Sequence, residues 1–345
     1  MDFRSDNVAG AAPEILAALA AANDGTASAY GDDDWSRELD AAFSVVFDTE
    51  CRVFPVATGT AANALALGCL APGFGAVFAH QDSHIVVDEC NAPEFFTDGA
   101  KLVTLPGAGG KIDPAALEAA LGQGWSGVQH HPQPAAVSLT QATESGTVYS
   151  PDEVAQFAHL CRANGMHLHM DGARFANAVA GMNVSPAALT WRAGVDVLSF
   201  GATKNGAFAA EAVVFFKPEL AASFLYRRKR GGHLFSKMRF LSAQLLAMLQ
   251  DGLWLRLARQ ANARAQQLSE GLQRIDGVSV AWLVQANEVF AAIPADIAER
   301  LRARGFRFHP WTPDNSLHRF VCAFNKTEDD VAGFLRAVTE EVGAA

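Results

Sequence analysis

Three stretches carry residue types able to do chemistry together: "PVATGTAANALA" with Gly59 and Thr60, "GMHLHMDGARFANA" with Asp171 and Arg174, and "VLSFGATKNGAFAAEAVVFF" with Lys204. In the first, a strand runs into a Gly-Thr turn and a helix is expected from Thr60. A helix N-terminus offers unpaired N–H groups and a partial positive charge, which suits a phosphate. A plain strand–helix turn has the same pattern. The stretch is not a nucleotide loop, because no G-x-x-x-x-G-K spacing occurs and no G-x-G-x-x-G follows a strand. In the second, His167, His169 and Asp171 fall on one face of a strand. They form either a metal-binding row or a buried strand in which only the terminal Asp171 acts. A buried aspartate needs a cationic partner, and Arg174 three residues on offers a purely structural one. In the third, Lys204 follows a predicted buried strand. A desolvated lysine is a nucleophile toward carbonyls. The alternative is an exposed turn lysine, since Asn-Gly signals a turn.

Together the three name one chemistry. A phosphate cradle, a carboxylate for a pyridinium nitrogen and a lysine for a Schiff base are the fixtures of pyridoxal phosphate. The aspartate keeps the ring nitrogen protonated, so the ring accepts electrons released at a substrate's Cα.

The elements that must position these residues alternate along the chain. "CRVFPVA", "AVFAH", "KLVTLPG", "AAVSLTQ", "MHLHMDG", "VDVLSFGA" and "AEAVVFF" read as strands. "EILAALAAAN", "TAANALALGCL", "IDPAALEAALGQG" and "SPDEVAQFAHLCRANG" read as helices, the last two with an Asp or Ser cap before a proline. The alternation predicts an α/β fold: a mostly parallel, doubly wound sheet with helices on both faces and ligands at the carboxyl ends of its strands. Beyond about Leu234 a long helical tract, broken near Asp251–Gly252, leads to strands at "VSVAWLV", "EVFAAIP" and "HRFVCAF" and helices at "ADIAERLRARG" and "TEDDVAGFLRAVTEEV". The expected division is an N-terminal segment and large domain over 1–240 and a smaller α+β domain over 241–345.

In order, "FRSDN", "AYGDDD", "ATGTAAN", "HMDGARFANA" and "LSFGATKNG" resemble the low-specificity L-threonine aldolases, a branch of the fold-type-I pyridoxal-phosphate enzymes, and the resemblance extends over essentially the whole chain. It implies that Lys204 holds the cofactor and Asp171 its ring nitrogen, while Gly59 and Thr60 hold the phosphate. Arg239, in "SKMRF", is similar to an arginine that reaches the phosphate from a neighbouring subunit. Ser5, Arg174 and Arg319 would take the substrate carboxylate, His84 would stack on the cofactor, and Tyr30 would come from a partner subunit. Where many relatives carry a histidine this chain has Glu144. The base for the substrate hydroxyl is then His84 first and Glu144 second. The implied reaction is reversible cleavage of the Cα–Cβ bond of L-threonine, L-allo-threonine and related β-hydroxy-α-amino acids such as phenylserine, giving glycine and an aldehyde. The implied assembly is a homotetramer with sites between subunits.

Composition narrows the alternatives. The chain has 345 residues, half of them apolar, and its 19% of charged residues suits a large buried fraction. A net charge of −10 and a single short basic cluster, "YRRKR", argue against nucleic acid and anionic membranes. That cluster reads as either a solvated helix end or an anion-binding patch. The N-terminus lacks a secretory pattern, and five scattered cysteines suit small buried thiols in a reduced, cytoplasmic protein. The rival readings are a β-eliminating lyase or an aminotransferase on the same cofactor, a hydrolase with a metal on His167, His169 and Asp171, and a cofactor-binding regulator. No third-strand ligand set supports the metal.

Overall fold

The computed structural model describes residues 1–344. Seven short strands form its larger sheet: β1 (Arg52–Val56), β2 (Gly75–His80), β3 (Lys101–Leu105), β4 (Gln133–Thr140), β5 (His167–Gly172), β6 (Val197–Gly201) and β7 (Glu211–Phe215). Their order is β1-β7-β6-β5-β4-β2-β3. All neighbours are parallel except β7, which is antiparallel to both β1 and β6. β2, β6 and β7 are buried throughout, which is why they read as unbroken apolar runs rather than alternating ones. The stretch around Lys204 is thus a wide hairpin, β6 to β7, closed over the sheet edge where β1, β4, β5 and β6 end.

One face of the sheet is covered by a core that includes Phe43, Phe47, Phe175, Phe200 and Trp254. The other face holds the helix Gly59–Leu70, whose Leu65 and Leu67 pack with Phe54, Phe215 and Phe224. That helix has no charged residue, and nearly every position in it is buried. A helix apolar all round lies inside the molecule, so its single asparagine, Asn63, must find partners there.

The long helical tract is Arg239–Leu249 followed by Leu253–Leu272. The break lies where Asp251 (φ 51°) and Gly252 (φ 65°) are left-handed. Beyond it, β8 (Ser279–Val280), β9 (Glu288–Ala292), β10 (His309–Pro310) and β11 (His318–Val321) form an antiparallel sheet in the order β10-β11-β9-β8. The strand expected over "VSVAWLV" is cut to two residues. The ladder's last hydrogen bond runs from the Ala281 N–H to the Phe290 carbonyl (2.9 Å), and the indole N–H of the next residue, Trp282, donates to the Ser145 carbonyl (2.8 Å).

The chain's first residues join this second sheet. The Phe3 N–H donates to the Arg307 carbonyl (2.7 Å), and the Val321 N–H donates to that of Phe3 (2.8 Å). The Phe3 ring packs on Phe320 and Phe334. This tether delivers Asp6 to the inner edge of β9. Among the described residues no helix is long and apolar enough to cross a membrane. All five cysteines are free, but only Cys51, Cys161 and Cys322 are buried: Cys69 is half-buried and Cys90 exposed, contrary to the expectation of uniformly buried thiols. In "YRRKR" the solvated helix end is only part of the outcome. Arg228 is buried over the Phe54 ring, and Arg227 donates to the Phe96 carbonyl.

Candidate active site

A cavity of about 270 Å³ opens at the carboxyl edge of the large sheet, and Gly59, Thr60, His84, Glu144, Asp171 and Lys204 all line it. The helix that closes one wall starts one residue earlier than expected. Thr58, extended (φ −140°), is the cap, and its Oγ1 accepts from the Ala61 N–H (3.2 Å). The N–H groups of Gly59 and Thr60 therefore point outward without an internal partner. A Cβ placed on Gly59 meets nothing within 4 Å, so the space in front of it is open cradle.

Asp171 is the penultimate residue of β5 and is 3% exposed. Its Oδ1 accepts from the Ala173 N–H (3.0 Å) and its Oδ2 from the Asn63 amide (2.8 Å). Neither donor is charged, so a buried carboxylate faces the cavity with no cation of its own, and a ring N–H⁺ would supply one. The structural Asp171–Arg174 pair does not form. The Arg174 Nε donates to Asp6 (3.0 Å), while one terminal nitrogen lies 2.8 Å from Asp6 and 3.4 Å from Glu288. Burial opposes the charge of Arg174, but Asp6, Glu288 and Glu144 more than restore it. The His-x-His-x-Asp row does not converge either. His169 is fully buried between the hydroxyls of Ser138 (2.9 Å) and Ser199 (3.0 Å), and burial pushes its pKa down to about 4. His167 faces Asp196 instead (3.5 Å).

Lys204 is half-buried in a short turn, Thr203–Asn205. The turn is not an ordinary exposed one. Asn205 is buried and donates to the Trp254 carbonyl (2.8 Å), and Gly206 (φ 108°) sits against Leu257 and Phe324. Glu211, paired across the hairpin with Gly201, accepts from the Ala202 N–H (2.8 Å). Burial pushes the Glu211 carboxyl up to about 7, against the hydrogen bonds from Thr203 and Ala202 and the Lys204 charge.

His84 begins a one-turn helix, and its Nδ1 lies 2.8 Å from Oε1 of the buried Glu89. That contact raises the His84 pKa above its ordinary value against the effect of burial. Glu89 itself is held high by burial, with His84 opposing. Asn63, Glu89 and Glu211 are among the cavity residues to which the sequence assigns no part. The available signals were an asparagine in a wholly apolar helix and a glutamate opening an otherwise apolar strand.

Ser5, Arg174 and Arg319 lie outside the cavity lining. Arg319 is 3.8 Å from Glu288, and one of its terminal nitrogens donates to the Arg4 carbonyl (3.4 Å). The Ser5 Oγ accepts from the N–H of Asn7, a lining residue (3.1 Å). Tyr30 and Arg239 also lie away from their own chain's cavity. Tyr30 is 55% exposed under Lys229, and the Arg239 Nε donates to the Ala22 carbonyl (2.8 Å).

An outward-facing helix N-terminus, a buried carboxylate without a cation and a lysine, brought together at one edge of this sheet, define the class of pyridoxal-phosphate enzymes of fold type I. The beta-eliminating lyase family profile matches residues 2–295. The chain is 45% identical to the low specificity L-threonine aldolase of Pseudomonas aeruginosa, over 99% of this chain and 98% of that one. It is also 45% identical to the enzyme of that name from a second Pseudomonas strain, over 97% of each. Among solved structures, the Leishmania major threonine aldolase superposes with a TM-score of 0.92 at 26% identity over 99% of both chains. The Sphingomonas wittichii serine palmitoyltransferase matches with a TM-score of 0.73 at 16% identity, covering 100% of this chain and 87% of that one, a likeness of fold alone. The chain belongs to the beta-eliminating lyase family and, within it, to the low-specificity L-threonine aldolases.

Proposed function

We propose that this cavity binds pyridoxal phosphate and cleaves the Cα–Cβ bond of L-threonine, L-allo-threonine and related β-hydroxy-α-amino acids, releasing glycine and an aldehyde. The observation that carries the reading is the convergence of the Gly59–Thr60 helix start, the cation-less Asp171 and Lys204 on one cavity. Bound pyridoxal phosphate supplies the electron sink for the pair released when that bond breaks. Lys204 would hold the cofactor through its aldehyde carbon. Asp171, fixed by Asn63 and the Ala173 N–H, holds the proton on the ring nitrogen. Gly59 and Thr60 donate their N–H groups to the phosphate, and Thr60 adds its hydroxyl.

Arg174 and Arg319, with Ser5, orient the substrate carboxylate and so select the bond that is broken. Asp6 and Glu288 keep the Arg174 guanidinium from turning away. His84 takes the hydroxyl proton at Nε2 as Cβ becomes the aldehyde carbon, and Glu144 is the second candidate. His84 is favoured because its Nδ1 already has a carboxylate partner.

The working unit is a cytoplasmic homo-oligomer, a homotetramer by resemblance. An apolar groove that includes Phe208, Phe235 and Phe240 adjoins the cavity at Ala57, and Phe208 is 69% exposed. A second copy covers it and brings Tyr30 and Arg239 to the neighbouring site.

The test is product analysis with L-threonine, together with the absorption spectrum of the purified protein. Glycine plus acetaldehyde is expected, with a yellow band that vanishes in Lys204→Ala. Ammonia plus a keto acid would move the assignment to an eliminating lyase or an aminotransferase. A protein that takes up no pyridoxal phosphate would end it.

A further inference from the structure

We propose that Glu89 and Asn63 are positioning residues that make His84 the proton acceptor of this site, Glu89 by fixing its tautomer and Asn63 by tying Glu89 to Asp171. This rests on the reading above that His84 acts on the substrate hydroxyl.

One Asn63 Nδ2 group donates to both the Glu89 Oε1 (2.9 Å) and the Asp171 Oδ2 (2.8 Å), while its Oδ1 has no partner. Turning the amide over would set its oxygen against two carboxylates, so its orientation is dictated. The same Glu89 Oε1 lies 2.8 Å from the His84 Nδ1. A carboxylate beside Nδ1 demands a proton there, so neutral His84 carries its lone pair on Nε2. That nitrogen has no partner among the described residues, and His84 lines the cavity.

Glu89 has a side chain with no exposure, and its Oε2 lacks any hydrogen bond. A buried ion pair is a poor source of net stability, so stability alone does not account for this one. The groups acting on His84 are Glu89 and Asp171, which favour its protonation, and Lys204, which opposes it. The result is one hydrogen-bonded line, His84–Glu89–Asn63–Asp171, joining the proton acceptor to the carboxylate that holds the ring nitrogen.

Glu89→Gln tests it. The glutamine oxygen still accepts from the His84 Nδ1–H and from Asn63, so the contacts stay while the charge goes. His84 is titrated by ¹⁵N NMR with and without bound pyridoxal phosphate, and kcat/KM for threonine is followed against pH. Wild-type His84 is expected as the Nδ1–H tautomer. In Glu89→Gln its titration is expected to move to lower pH, the acidic limb of kcat/KM to move down with it, and kcat to fall about 10- to 100-fold, short of the loss of a general base itself.

An unchanged His84 titration, or an acidic limb that stays in place while His84 moves, would overturn the proposal. The measurement on cofactor-free protein decides the first point even if the variant binds no cofactor or the wild type cleaves no threonine. Should Glu89→Gln fail to fold, Glu89→Asp draws the carboxylate back and is expected to shift His84 the same way. No shift there would also overturn it.

Discussion

Glu211 gives a stability prediction whose sign follows from where it is buried. Its carboxyl lies under the Lys204 turn and is raised from its ordinary 4.5 to about 7, first by burial. Each pKa unit is worth about 1.4 kcal/mol, so the folded state disfavours the ionised form by about 3 kcal/mol. The folded pKa lies above the unfolded one. The stability this group contributes is therefore complete below about pH 4.5 and is lost as pH rises to about 7. Glu211→Gln keeps an oxygen to accept from the Ala202 N–H and removes the ionisation. Urea unfolding of cofactor-free wild type and variant, at matched protein concentration and at pH 5 and pH 8, measures the effect. Relative to wild type, the variant is expected to gain about 2 to 3 kcal/mol between those two pH values. The same stability difference at both would refute the reasoning, because it would mean that Glu211 does not change its proton occupancy on folding.

Two further substitutions probe the cradle and the N-terminal tether. Gly59→Ala adds a methyl group where nothing lies within 4 Å, so the cofactor-free protein is expected to hold or gain up to about 1 kcal/mol while its affinity for pyridoxal phosphate falls. Urea unfolding and a cofactor titration check the two halves, and unchanged affinity would refute the cradle. Phe3→Ala empties a fully buried site against Phe320 and Phe334 and is expected to cost about 3 to 5 kcal/mol in urea unfolding.

The alternation of strands and helices was legible because each element signals locally. Ser150 and Asp113 do cap their helices, and Asp251–Gly252 does break the long tract. The helix start is displaced by one residue, because Thr58 and Gly59 are both acceptable caps in sequence and only the backbone decides between them. The shortness of β8 was not legible, since Trp282, just past its end, takes its partner from the distant Ser145.

By itself the sequence determined which chemistry was available: an ordered set of short motifs naming Lys204, Asp171 and the Gly59–Thr60 turn. These are properties of local spacing, and spacing survives in one dimension. Only the tertiary structure decided the partners. Arg174 belongs to Asp6, 168 residues away, rather than to the nearby Asp171. Asn63 belongs to Glu89 and to Asp171, 108 residues on. A buried charge must take whatever partner the fold brings within hydrogen-bond reach, and that partner is set by how elements distant in sequence pack together.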